Sequence, residues 1–130
     1  MADHPLFNRL VTEFGYPRLA TEEARDAYLD APGAHVLFIP GDPVRNLEST
    51  DVAVILPELR LAFQNAFDCA LVDDAIETAT REMAGVYKTP SLIFYRDGRK
   101  VGTLPRVRDW SDYMARIAQI LAARPEPLDA

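Results

Sequence analysis

The segment Val86-Tyr87-Lys88-Thr89-Pro90-Ser91-Leu92-Ile93-Phe94-Tyr95-Arg96-Asp97-Gly98 decides how this chain folds. Residues 90–95 form a short apolar run, bounded by a proline and an Asp-Gly pair, which predicts a strand covered on both faces. Asp97-Gly98 stands between two β-rich runs. That is the pattern of a two-residue type I′ hairpin, whose central residues both need positive φ. Residues 99–104 are then expected to pair back as an antiparallel edge.

Working outward, His35-Val36-Leu37-Phe38-Ile39 and Asp68-Cys69-Ala70-Leu71-Val72 read as two more buried strands. Tyr16-Pro17-Arg18-Leu19 reads as a short extended piece at a sheet edge. Helices fill the gaps. Residues 5–14 carry Leu6, Leu10 and Phe14 on one face, and Thr21 caps a helix reaching Asp30. Residues 51–67 place Val52, Ile55, Leu59, Phe63 and Ala66 on one side, with a kink expected at Pro57. Residues 74–83 turn Ile76, Ala79 and Met83 inward. Asp109 caps a last helix carrying Trp110, Tyr113, Ile117, Ile120 and Leu121. Residues 40–50 read as loop, and residues 124–130 as a polar, proline-broken tail beyond a single domain at 1–123. Strands alternating with helices predict parallel pairing, apart from the final hairpin, with the strands at 35–39, 69–72 and 91–95 at the centre. The fold class is α/β, a central mixed sheet flanked by helices, with an extra helix at the N-terminal end.

A chain of 130 residues can bury about two-thirds of its unfolded surface, enough for one real core. Its net charge of −6 is the reverse of what a nucleic-acid binder needs to neutralise phosphates. The same balance mildly favours a cationic partner. The single cysteine, Cys69, excludes internal disulfides, Cys-x-x-Cys redox chemistry and zinc sites built on several thiolates. No secretory signal or membrane-spanning run is visible, so a cytoplasmic protein is expected, with no cofactor and no metal.

The 86–98 segment, with Gly102 in the following strand, resembles the second half of a thioredoxin fold. The resemblance implies that Thr89-Pro90 is cis and faces the active-site loop, and it spans residues 16–123. The departure is equally informative. A thioredoxin places Trp-Cys-x-x-Cys before its kinked helix, where the helix N-terminus activates a thiol. Here the position holds Pro40-Gly41-Asp42-Pro43-Val44-Arg45-Asn46-Leu47-Glu48, without sulfur. Phe38-Ile39-Pro40-Gly41-Asp42-Pro43-Val44-Arg45 and Asp51-Val52-Ala53-Val54-Ile55-Leu56-Pro57-Glu58-Leu59 resemble the HyaE/HupG/HoxO proteins of NiFe-hydrogenase maturation. That resemblance implies a non-catalytic chaperone bound to the hydrogenase small-subunit precursor, through its twin-arginine signal peptide, with other hydrogenase maturation proteins as further candidate partners and no direct membrane insertion.

Two other readings stay open: a thiol-dependent enzyme using Cys69 alone, and a scaffold docking the folded subunit. Cys69 lies inside an apolar strand, where a small core residue is the simpler role. His4 and His35 lack a nucleophilic partner in sequence, and Asp73-Asp74 suit a helix cap better than a metal site. The 41–51 loop is either a drifted linker or a recognition surface. On the second reading Asp42, Glu48 and Asp51 face the arginine pair of a peptide, Val44, Leu47 and Val54 meet its apolar stretch, and Gly41, Pro43, Thr89 and Pro90 shape the seat. Exposed backbone at Thr89-Pro90 is then available to an extended peptide.

Overall fold

Local chemistry starts most elements where the sequence predicts them. A computed structural model describes residues 4–122, so the 124–130 tail lies outside the described residues. The elements are α1 (Pro5–Thr12), β1 (Arg18–Leu19), α2 (Glu22–Asp30), β2 (Ala34–Ile39), α3 (Glu48–Ala62) and β3 (Asp68–Val72). A 3₁₀ turn (Asp74–Ile76) leads into α4 (Glu77–Ala84), followed by β4 (Ser91–Arg96), β5 (Arg99–Pro105) and α5 (Trp110–Ala122). His4 Nδ1 accepts from Leu6 N at 3.1 Å and caps α1, while Thr21 Oγ1 accepts from Ala24 N at 3.0 Å and caps α2. Asp73 accepts from Ala75 N at 2.9 Å, which is the capping role expected of the Asp73-Asp74 pair.

The five strands form one mixed sheet in the order β1-β3-β2-β4-β5. β3 runs parallel to both β1 and β2, whereas β4 is antiparallel to β2 and to β5. The expectation of parallel pairing outside the hairpin therefore fails at β4. The reason is the path between β3 and β4. Lys100 Nζ donates to Ala84 O at 2.6 Å, and Lys100 pairs with Tyr95, so α4 ends at the hairpin end of β4. Residues 85–90 carry the chain back along the sheet, and β4 begins with Ser91 opposite Ile39, where β2 ends. Thr89-Pro90 is cis, as expected, and Asp97 and Gly98 take φ of 52° and 82°, as a type I′ turn requires.

Alternating residues of the central strands fill two cores. Val36, Phe38 and Phe94 pack beneath α1, α3 and α5 with Leu56, Leu59 and Tyr113. Leu37, Ile39 and Ile93 pack beneath α2 and α4 with Leu29, Ile76 and Ala84. Val36 to Ile39 are all 0% exposed, the signature of a strand covered on both sides. Gly102 lies opposite Phe94 beside a bulge, and a Cβ there would come within 2.6 Å of Ile120, so its lack of a side chain lets α5 close on the sheet.

Three helical details depart from the sequence pattern. α3 starts at Glu48 and ends at Ala62, so the predicted 40–50 loop is shorter and Ala66 is exposed outside the helix. Its buried face is Ser49, Val52, Ala53, Leu56, Pro57 and Leu59, because the extra N-terminal turn anchors Ser49 to the Pro40 carbonyl. In α4 the inward residues are Thr80 and Ala84, and Met83 is 43% exposed. Thr80 Oγ1 accepts from buried Arg25 at 3.2 Å, which turns that face of α4 toward α2.

Candidate functional site

The loop between β2 and α3 is short and fastened at several points. Gly41 has φ of +73°, and a Cβ on it would lie 2.5 Å from Thr89 Oγ1, so the backbone passes directly against the Thr89-Pro90 turn. Asp42 Oδ1 accepts from Val44 N at 2.9 Å, and Asp42 O accepts from Asn46 N at 2.8 Å. Asn46 Nδ2 then donates to Thr89 Oγ1 at 3.0 Å. Ser49, 0% exposed, donates its hydroxyl to Pro40 O. These bonds hold a rigid turn whose two apolar side chains point away from the core: Val44 is 84% exposed and Leu47 78%. Leu47, Asp51 and Val54 follow at helical spacing on one outward face of α3's first turns.

The structure thus gathers Gly41, Asp42, Pro43, Val44, Leu47 and Thr89 at one end of the sheet, with Asp51 and Val54 further along α3. Two predicted site residues are otherwise engaged. Glu48 receives the Arg106 guanidinium through Nε and Nη2, and Oε1 also accepts from Val107 N at 2.9 Å. Arg106 beside it holds the Glu48 carboxyl below its ordinary range. Glu48 is therefore a bolt between α3 and the 106–109 segment, and not a carboxylate waiting for a peptide. Pro90 is buried, and its carbonyl accepts from Arg106 N at 2.7 Å, so that part of the turn's backbone is already paired.

Several residues at this end were not legible in the sequence. Asn46 and Thr89 are 43 positions apart and share no local pattern. Trp110, which reads as one more apolar residue of the last helix, opens α5 and is 45% exposed. On the other side of the loop, Gly41, Asp42, Asp74, Glu77 and Thr78 line a cavity of about 370 Å³. Burial pushes the Glu77 carboxyl up; Asp74 and Asp42 push it further, against the pull of Arg81.

The sole thiol sits elsewhere. Cys69 is buried in β3, and desolvation pushes its pKa up to about 12. Burial also raises the hydroxyl of its hydrogen-bonding neighbour Tyr16. A thiol held neutral in this way is a core side chain, not an activated nucleophile. His35 is likewise buried, 2.8 Å from Ala31 O through Nε2 and 3.5 Å from Asp68 through Nδ1. Among the described residues no cluster of three His, Cys, Asp or Glu is arranged to hold a metal, and no helix is long and apolar enough to cross a membrane.

Comparison with known proteins agrees with this geometry. Residues 6–113 match the family model described as hydrogenase-1 expression protein HyaE. The chain is 58% identical over 121 residues to the hydrogenase expression/formation protein HupG of Rhodobacter capsulatus, covering 93% of this chain and 88% of that one. It is 43% identical to HoxO of Azotobacter vinelandii, described in the same words, covering 96% and 83%. A crystal structure of the hydrogenase expression/formation protein hupG from Rhodopseudomonas palustris aligns with TM-score 0.58 at 34% identity, over 82% of this chain and 95% of that one. A thioredoxin from Halobacterium salinarum aligns with TM-score 0.66 at 16% identity, over 84% and 93%, which speaks to the fold alone. With a thioredoxin-like sheet and a cysteine-free loop in the active-site position, the chain belongs to the HyaE family of hydrogenase expression/formation proteins.

Proposed function

We propose that this protein is a non-catalytic, cytoplasmic chaperone for the small-subunit precursor of a NiFe hydrogenase, held through the precursor's twin-arginine signal peptide. The observation that carries the reading is the braced 41–47 turn. It presents Val44 and Leu47 almost fully to solvent in the position where a thioredoxin engages its substrate. Rigid scaffolds that display unsupported apolar side chains on a loop are typical of recognition sites. The relatives are described as hydrogenase expression/formation proteins, which is consistent with an accessory role. A mechanism through Cys69 is disfavoured by the buried, neutral thiol.

The chain's role on this reading is to cover an export signal and keep it from engaging other partners while the subunit matures. Apolar contacts supply most of the affinity, while peripheral charges tune rate and specificity. Purified protein is expected to retain the precursor and to release it when the signal peptide is deleted. Changing Val44 and Leu47 together to Asp is expected to weaken capture more than Asp42→Asn does, read by co-purification and isothermal titration. Equal binding of the precursor and the signal-less subunit overturns the signal-peptide reading and leaves a scaffold for the folded subunit.

A further inference from the structure

The outward face of α3 carries a pattern that runs well beyond the turn. Leu47, Val54 and Leu61 recur every seven residues, and Asp51 and Glu58 recur at the same interval between them. At 3.6 residues per turn these five positions fall within an arc of about 80°. Val54 is 40% exposed and Leu61 68%, so the apolar row is open to solvent along a rise of about 21 Å. Asp51 and Glu58 are exposed, and among the described residues neither carboxylate has an ion pair or hydrogen bond. The other charges of α3 lie off this arc and are engaged: Glu48 by Arg106, and Arg60 by Phe67 O at 2.9 Å and Asp68 at 3.6 Å. Arg45 precedes the helix, 3.8 Å from Asp42.

Resting on the peptide-binding reading above, we infer that the bound segment is a basic amphipathic helix laid along α3. Its apolar side chains pack on Leu47, Val54 and Leu61, and its lysines or arginines lie over Asp51 and Glu58. An apolar seam of seven-residue period, flanked by charge of one sign, is the complement of a second helix. A strand, with a side-chain period of two, does not follow such a row. Extended pairing at the turn is also partly closed, since Pro90 O already accepts from Arg106 N at 2.7 Å. Charge selects the occupant. A basic helix brings cations to both carboxylates, whereas a second copy of α3 sets its own Asp51 and Glu58 against them. The row takes about four turns of partner helix, or about 14 residues. The assignment adds Glu58 and Leu61 to the site and makes the 41–47 turn one end of it.

The probe is a synthetic peptide of about 14 residues, with leucines spaced three and four apart and lysines beside them, labelled for anisotropy. One copy carries glutamine for lysine, and another carries a central pair of prolines that breaks the helix. Binding is expected to raise the peptide's helicity by circular dichroism, and the proline copy to bind at least roughly tenfold more weakly. Leu61→Asp should weaken the lysine and glutamine peptides alike, roughly tenfold, and lower capture of the small-subunit precursor. Asp51→Asn with Glu58→Gln should weaken the lysine peptide roughly fivefold and leave the glutamine peptide nearly unchanged, a difference that salt at about 1 M erases. Thermal denaturation shows that each variant is folded. Binding without a gain in helicity, binding indifferent to Leu61→Asp, or no binding of the synthetic peptide while the precursor is still captured overturns the helical placement and leaves peptide binding standing. Self-association of the unaltered protein that Leu61→Asp abolishes gives the row to a second copy and overturns the placement as well. If neither the synthetic peptide nor the precursor binds, both readings fall.

Discussion

Strand β3 and the 41–47 turn show the same kinds of side chain under opposite conditions. From Cys69 to Val72, β3 is at most 2% exposed, clamped between β1 and β2 with helices on both faces. In the turn, Val44 and Leu47 are 84% and 78% exposed, on a backbone braced by hydrogen bonds of Asp42, Asn46 and Ser49. The residue with reactive chemistry lies where solvent cannot reach it, and the residues with the least chemistry lie where a thioredoxin would react. Order is therefore not what separates the two regions. What separates them is what each leaves unburied, and a rigid surface of unburied aliphatic side chains favours binding over turnover.

Stability and binding should accordingly come apart. Phe38→Ala removes a ring that is 0% exposed and packs edge-on against Phe7, centroids 6.0 Å apart. Its cost is expected at about 3–5 kcal/mol, read as a lowered denaturant midpoint. The Val44 and Leu47 double change to Asp should move stability by no more than about 0.5 kcal/mol, because those side chains touch little. If the double change unfolds the protein as Phe38→Ala does, the turn is part of the core and the contrast collapses.

The thiol gives a smaller effect with a defined pH window. Cys69 titrates at an ordinary value of 9.0 when unfolded and at about 12 when folded. A raised folded value means that the unfolded state loses its proton first. The stabilising contribution is therefore complete below pH 9 and declines as pH rises from there toward 12. Unaltered protein should lose stability relative to Cys69→Ala over that window, on the order of 1 kcal/mol per pH unit. Thiol labelling should be slow in buffer and stoichiometric in denaturant. Rapid native labelling at neutral pH breaks the contrast from the other side.

The order and type of the strands were legible because periodicity, Asp97-Gly98 and the Thr89-Pro90 context are local signals. The direction of β4 was not, since it depends on residues 85–90 returning along the sheet, and no periodicity encodes a return path. The turn itself was legible through its proline-glycine punctuation and missing sulfur. Its bracing through Asn46 and Thr89 was not, nor the approach of Arg106 to Glu48 across 58 positions. Both depend on tertiary placement. The Glu48 case shows the limit best: an acidic residue in an apparent loop reads as available, and only the fold reveals that an arginine already holds it.

That ion pair provides the smallest test. Arg106 beside Glu48 lowers the Glu48 carboxyl below its ordinary 4.5, so the folded state prefers the ionised form. A lowered folded value contributes stability that is present above the ordinary range and lost as pH falls through the folded value. Both side chains are substantially exposed, at 52% for Arg106 and 30% for Glu48, so solvent screening keeps the effect small. Glu48→Gln should lower the melting temperature slightly at pH 7, and the gap should close as pH falls below 4.5. A gap that persists at pH 3 assigns the effect to the Val107 N–H bond and side-chain shape, which glutamine also perturbs. The same variant sharpens the comparison at the binding end. With Glu48 committed to Arg106, Glu48→Gln should leave capture of the small-subunit precursor unchanged, whereas the Val44 and Leu47 double change weakens it. Capture lost in Glu48→Gln returns arginine recognition to that carboxylate.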